Sequence, residues 1–517
     1  MQPPPRSYCR LVARDTCLTP TMPASSSSFS DSNDDRSVAI LGAGLSGLAA
    51  AIHLMRVGVN DVVVYEREAD VGGTWLLNTY PGLHCDIPSH LFCYSFAPNP
   101  DFSTVFSSQA EIQAYLRTCA IDYGVMPRIR FNVSIERATY VEERGLWVLR
   151  DADGREIRHR YLISATGGLT APYFPKLEGR ELFRGLSWHA GNWRHDVSLE
   201  GKTAVVIGSA ASAVQVVPAV ANLARKVIVF SRTPNWITPR YNRKYDESER
   251  QAFRDERQWR RVRRQQYRRS LLWHRAFVKD SSAIEQLRRE TLSQMRASIT
   301  DPTVVAHLTP QYPPGCKRIL VSDDYYPAIA QPHVHLVPRG VTALSHDGVI
   351  DSDGHEHPAD AVIYCTGYRL GGRVDGKPAV AVEGRKGLSL GAALSRSPEM
   401  YRGIAVPGFP NYFTICGING AAGHAPVFLS AEVAADYVAR WLRRLINGGA
   451  KSIEVKQDAT RAYNREIQQE LQQMSWADDC PGWYRDKSGR IIPFHPGTWA
   501  RMRRELRALH EGDFDVA

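Results

Sequence analysis

One pattern of apolar and polar positions occurs twice in the chain. Residues 37–41 form a short, mostly apolar run, residues 42–47 a glycine-rich turn, residues 48–57 a helical period of small and apolar side chains, and residues 62–65 a second apolar run. Residues 202–207, 208–213, 213–223 and 226–231 repeat that order. Each stretch predicts a strand, a helix and a parallel strand, and together they predict an α/β chain with two doubly wound units. From about 240 to 310 the apolar runs give way to polar, helical sequence rich in Arg and Gln, which reads as an inserted helical subdomain. The run Leu162-Ile163-Ser164-Ala165-Thr166-Gly167 is echoed by Ala361–Tyr364 and Cys365-Thr366-Gly367, as if the chain crosses twice between the two units. A basic helix is expected over 499–509.

The turns carry chemistry. In Gly42-Ala43-Gly44-Leu45-Ser46-Gly47, Gly42 permits a tight turn, Gly44 lets backbone approach a pyrophosphate and Gly47 allows close helix packing, with the helix N-terminus facing the phosphates. Glu66 follows the next strand, where a carboxylate accepts bonds from both ribose hydroxyls. The second turn is Gly208-Ser209-Ala210-Ala211-Ser212-Ala213, so Ala210 stands where a second glycine is usual. After its partner strand come Arg232 and Thr233 in place of an acid. An arginine and a hydroxyl pair with a 2′-phosphate that a carboxylate would repel, which favours NADPH over NADH. Two dinucleotides in one enzyme are expected.

Length and composition narrow the reading. A chain of 517 residues exceeds one ordinary domain. The net charge of +10 is spread along the chain, densest between Arg257 and Arg269, where interleaved apolar residues at helical spacing predict a solvated helix face rather than a nucleic-acid or membrane surface. Nine scattered cysteines without a C-x-x-C pair argue for a reducing compartment, taken as the cytoplasm, and against a bound metal. No apolar stretch reaches bilayer length. Residues 1–35, rich in Pro, Ser and Asp, read as a flexible leader, with Met22 an alternative start.

Between the two turns stand Phe183, Gly185, His189 and Trp193, spaced F-x-G-x-x-x-H-x-x-x-W. With Gly72-Gly73-Thr74-Trp75, Tyr80-Pro81-Gly82, Cys85-Asp86, Arg232-Thr233-Pro234, Lys317-Arg318 and Trp483-Tyr484, this resembles the class B flavin-dependent monooxygenases, in particular the Baeyer-Villiger type, over nearly the whole chain from Ser37. Arg194 stands where the family generally has Pro or Asp, and Gly417-Ile418-Asn419-Gly420 departs from its G-P-N form. The resemblance implies two Rossmann-like domains. The FAD-binding domain would span 36–185 and 346–517, and the NADPH-binding domain 186–345 with the insertion at about 240–310. It implies that Arg318 and its partner Asp86 are catalytic, that Lys317 meets the NADPH phosphate, that Gly73, Thr74, Trp75 and Asp86 lie near the flavin, and that His189 couples the domains. The implied reaction is insertion of one oxygen beside a small-molecule ketone's carbonyl through a flavin peroxide. A fixed cation helps there, because the peroxide and the tetrahedral adduct are both anionic. Oxygenation of nitrogen or sulfur by the same flavin is the alternative, and a flavin disulfide reductase would need paired cysteines.

Overall fold

The first apolar run folds as strand β1 (Val38–Leu41), followed by helix α1 (Leu45–Arg56) and strands β2 (Val62–Tyr65), β3 (Ile129–Arg130) and β4 (Tyr161–Ser164). The second unit contributes β5 (Leu186–His189), β6 (Thr203–Ile207), α2 (Ala211–Ala221), β7 (Lys226–Phe230), the inserted helices α3 (Glu256–Ala276) and α4 (Ser282–Ser298), then β8 (Val334–Val337) and β9 (Ala361–Tyr364). Strand β10 (Tyr412–Thr414) and helix α5 (Val427–Gly448) return to the first. This computed structural model describes residues 37–369, 379–480 and 482–517; the leader expected at 1–35 lies outside them.

Both five-stranded sheets are parallel throughout. The first has the order β10-β4-β1-β2-β3, with Val38 opposite Val62 and Tyr161; the second has β8-β7-β6-β9-β5, with Ala204 opposite Val227 and Ala361. Every residue of β1 and of β6 is buried, the state that unbroken apolar runs require of strands covered on both faces. Helix α5 packs on α1, where small residues such as Ala51 and Ala435 share the core of the first unit.

The structure moves three boundaries. Helices α1 and α2 begin at Leu45 and Ala211, inside the glycine turns, rather than at 48 and 213, because the turn residues already adopt helical backbone before the apolar period starts. Strand β9 was expected with the 346–517 part of the first unit. Its wholly buried residues instead pair with β6 and β5 at the heart of the second sheet, so the first unit resumes only after Tyr364. Residues 247–308 hold four helices, of which α3 sends Trp259 into the first unit's core and α4 sends Met295 into the second's.

Candidate active site

The first glycine turn is an uncapped helix start. Gly42 has φ +99°, and a Cβ there would lie 2.7 Å from the Ala165 carbonyl oxygen; a Cβ on Gly47 would strike the Gly42 carbonyl. No side chain caps the first turn of α1, which leaves its N–H groups for an anion. Across the turn Gly44 and Gly73 meet backbone to backbone, a Cβ on Gly73 coming 3.1 Å from the Gly44 Cα. Glu66 is 6% exposed, and its carboxylate accepts from the Ala43 amide at 2.6 Å and the Glu68 amide at 3.0 Å, holding it at the end of β2. Thr74 opens a one-turn helix, and Trp75 beside it lies edge-on to Phe92 at 5.4 Å.

The second turn repeats the first. Gly208 has φ +130°, and its Cβ would meet the Cys365 carbonyl oxygen at 2.4 Å. Ala210 stands uncapped at the start of α2, and the Ser212 hydroxyl bonds Tyr80. Ser209 donates to the Thr233 carbonyl at 2.6 Å, so turn and post-strand segment form one wall. Arg232 is exposed there. Burial and then the charge of Arg232 lower the pKa of Lys317, whose ammonium sits 4.7 Å from the centre of the Tyr312 ring. Among the described residues neither cation has an acidic partner, so the two converge on space suited to an anion.

Arg318 and Asp86 meet although far apart in the chain. The Arg318 Nε donates to Asp86 Oδ2 at 3.0 Å and Nη2 donates to the same oxygen, which leaves Nη1 without a hydrogen-bond partner among the described residues. The Asp86 loop is seated on α2: a Cβ on Gly82 would lie 2.8 Å from the Gln215 carbonyl oxygen, and the His84 amide donates to Gln215 Oε1 at 2.8 Å. The side chains are 47% and 35% exposed, so the pair adds little stability and serves to aim the guanidinium. The Asp86 charge raises the Arg318 pKa further, so it is a permanent cation. Tyr484 faces it, and Tyr484, Phe494 and Trp476 form an aromatic wall with ring centres 4.9 and 4.7 Å apart. Against the reducing compartment expected from the scattered cysteines, Cys316 is disulfide-bonded to Cys480, which ties the loop carrying Lys317 and Arg318 to the segment carrying Tyr484. Among the described residues no three or more His, Cys, Asp or Glu side chains gather as a metal site.

Residues 35–249 match the flavin-binding monooxygenase-like family. The chain is 36% identical to a Baeyer-Villiger monooxygenase of Streptomyces coelicolor over 93% of its length and 92% of that protein's, and 36% identical to one of Pseudomonas aeruginosa over 91% and 89%. The chain belongs to the Baeyer-Villiger monooxygenases. Among solved structures, OTEMO in complex with FAD and NADP aligns with 94% of this chain and 100% of its own (TM-score 0.85, 25% identity), and a steroid monooxygenase bound to NADP with 93% and 99% (TM-score 0.82, 27% identity).

The family's linking motif falls on β5. Gly185 leaves no room for a side chain, since a Cβ would meet the Phe183 ring at 2.4 Å and the Asp360 carbonyl at 2.7 Å. Trp193 stands edge-on to Trp188 at 5.5 Å, and Arg194, unusual at its position, is bonded to Asp196. His189 is buried, which lowers its pKa, and Nδ1 accepts from the Gly191 amide at 3.0 Å. Its ring lies edge-on to Tyr368, whose hydroxyl bonds Asn78 Oδ1. His189 thus reaches from the second sheet toward the first glycine cradle, and no hydrogen bond or ring contact joins it to Arg318 or Asp86 among the described residues. Sequence reasoning missed Asn78 and Tyr368; the position of Tyr368 directly after Cys365-Thr366-Gly367 was the available signal.

Proposed function

We propose that this Baeyer-Villiger monooxygenase takes NADPH, a proton, O₂ and a ketone to an ester or lactone, NADP⁺ and water. The Arg318–Asp86 pair carries the reading, because it fixes a cation, with one nitrogen unspent, beside an apolar aromatic wall. The residues present fit both cofactors. Gly42, Gly44, Gly47, Glu66, Gly73, Thr74 and Trp75 offer FAD an uncapped helix start, a side-chain-free cradle and a carboxylate. Gly208, Ser209, Ala210, Ser212, Arg232, Thr233 and Lys317 offer NADPH a second uncapped start and paired cations. When bound, the flavin, reduced by NADPH, supplies activated oxygen.

The chain's own groups do the rest. Arg318 Nη1 faces the negative charge that develops on the carbonyl oxygen as the carbonyl carbon is attacked, and stabilises it more than it stabilises the neutral ketone. Asp86 holds the guanidinium so that little reorganisation is needed at that moment. Tyr484, Phe494 and Trp476 exclude water beside it. His189, kept neutral by burial, positions the two units through Tyr368 and Asn78.

Arg318→Ala tests the reading. Anaerobic reduction of the bound flavin by NADPH is expected to stay within a few-fold of wild type, while ester formation falls by about 10²–10³ and consumed NADPH appears as hydrogen peroxide. Undiminished ester formation by the variant, or a wild-type protein that oxidises thioethers and leaves ketones untouched, would overturn it.

A further inference from the structure

Helix α3 has two faces with different work. Trp259 points into the first unit's core, Arg263 donates from Nη1 to the carbonyls of His90 (2.7 Å) and Cys93 (3.1 Å), and Tyr267 lies edge-on to Trp499 at 5.5 Å. The outward face carries Arg257, Arg261, Arg264, Arg268, Leu272 and Arg275, spaced by three or four residues, so that they stack one per turn along about 27 Å. All six are exposed, Leu272 by 57%. Among the described residues none of these five guanidinium groups has an ion-pair, hydrogen-bond or ring partner, whereas neighbouring Arg254 and Arg260 are paired with Asp101 and Glu256. Arginines one turn apart repel and weaken the helix they stand on, and no acidic partner among the described residues offsets that repulsion.

We propose that this stripe is a docking surface for an anionic phospholipid bilayer, on which the protein rests as a peripheral enzyme. A straight row of free guanidinium groups complements a planar layer of phosphate headgroups, and the net charge of +10 acts in the same direction. Leu272, within the row, offers the apolar contact that the boundary beneath the headgroups accepts. Nucleic acid is disfavoured because the aromatics of α3 that could stack on bases, Trp259, Tyr267 and Trp273, are turned toward the protein. No helix among the described residues is long and apolar enough to cross a membrane, so the contact is a surface one. If the proposed ketone oxidation holds, docking places the enzyme where apolar ketones concentrate; the docking itself does not rest on that reading.

Vesicle sedimentation of the full-length holoprotein tests the proposal. Vesicles of phosphatidylcholine and phosphatidylglycerol in equal parts are expected to carry the protein down at low ionic strength and release it at high, while pure phosphatidylcholine does not bind it. The triple variant R261Q/R264Q/R268Q should lose affinity by roughly a hundredfold, from about fivefold per arginine removed. The charge-preserving R261K/R264K/R268K should bind as wild type does, and both should retain flavin and wild-type turnover of a water-soluble ketone. Failure to bind acidic vesicles, equal binding by the glutamine variant, or tighter binding to a DNA duplex than to the vesicles at the same salt would overturn it.

Discussion

Among the described residues Arg232 and Lys317 converge without an acidic partner, and removing either should separate recognition of NADPH from recognition of NADH. A charge-assisted hydrogen bond to a 2′-phosphate contributes about 1.5–3 kcal/mol, or roughly 10- to 150-fold in affinity. Arg232 is exposed and belongs at the low end, so Arg232→Ala should lower kcat/KM for NADPH about tenfold. Lys317 is half-buried and its attraction is screened less, so Lys317→Ala should cost about a hundredfold. Neither change should move kcat/KM for NADH more than about twofold. The direction of the Lys317 shift adds a second readout. Its proton is held less tightly in the folded chain than in the unfolded one, so apoprotein stability rises with pH between the folded pKa and the ordinary lysine value. A bound phosphate reverses the shift, and NADPH binding at a pH between the folded pKa and the ordinary lysine value should therefore take up protons, measurable by calorimetry in buffers of different ionisation enthalpy. Parallel loss of NADH and NADPH efficiency, or NADPH binding without proton uptake, would refute the assignment.

Two further outcomes follow from covalent and steric features. The Cys316–Cys480 bond closes a loop of 164 residues, for which the chain-entropy relation gives a stabilisation of about 5 kcal/mol as an upper figure. C316S/C480S should melt at a lower temperature, and the thiol titre of unfolded wild type should fall two short of its nine cysteines; a full titre would show no bond. Gly185→Ala forces a methyl against the Asp360 carbonyl, which cannot give way as the Phe183 ring can, and should destabilise by about 1–3 kcal/mol. An unchanged melting temperature would mean that β5 shifts freely.

What local pattern could and could not reveal divides along physical lines. The two strand–turn–helix–strand units were legible because unbroken apolar runs and glycine turns are short-range signals, and both sheets are built on them. Strand β9 went to the wrong unit because an apolar run of four residues says that it is buried but not between which neighbours. Arg318 and Asp86 lie 232 residues apart and Cys316 and Cys480 164, so no periodicity links either pair, and only the family resemblance pointed to the first. The aromatic wall of Trp476, Tyr484 and Phe494 comes from a stretch with little regular structure, which leaves no periodic trace.

The glycine turns sharpen that division, because their glycines are required for different reasons. Gly42 and Gly208 have positive φ and press on the Ala165 and Cys365 carbonyls, so backbone geometry and packing both demand glycine, and the sequence has it in each turn. Gly44 and Ala210 share an ordinary extended backbone, with φ −74° and −91°, which any residue adopts. What differs is the surroundings: Gly44 lies 3.6 Å, measured from an ideal Cβ, from Gly73 of the facing turn, whereas Ala210 is exposed at the start of α2. The apparent departure at Ala210 is therefore a place where the second cradle lacks the opposing backbone that confines the first, so its methyl group carries no backbone strain and stands in a more open approach.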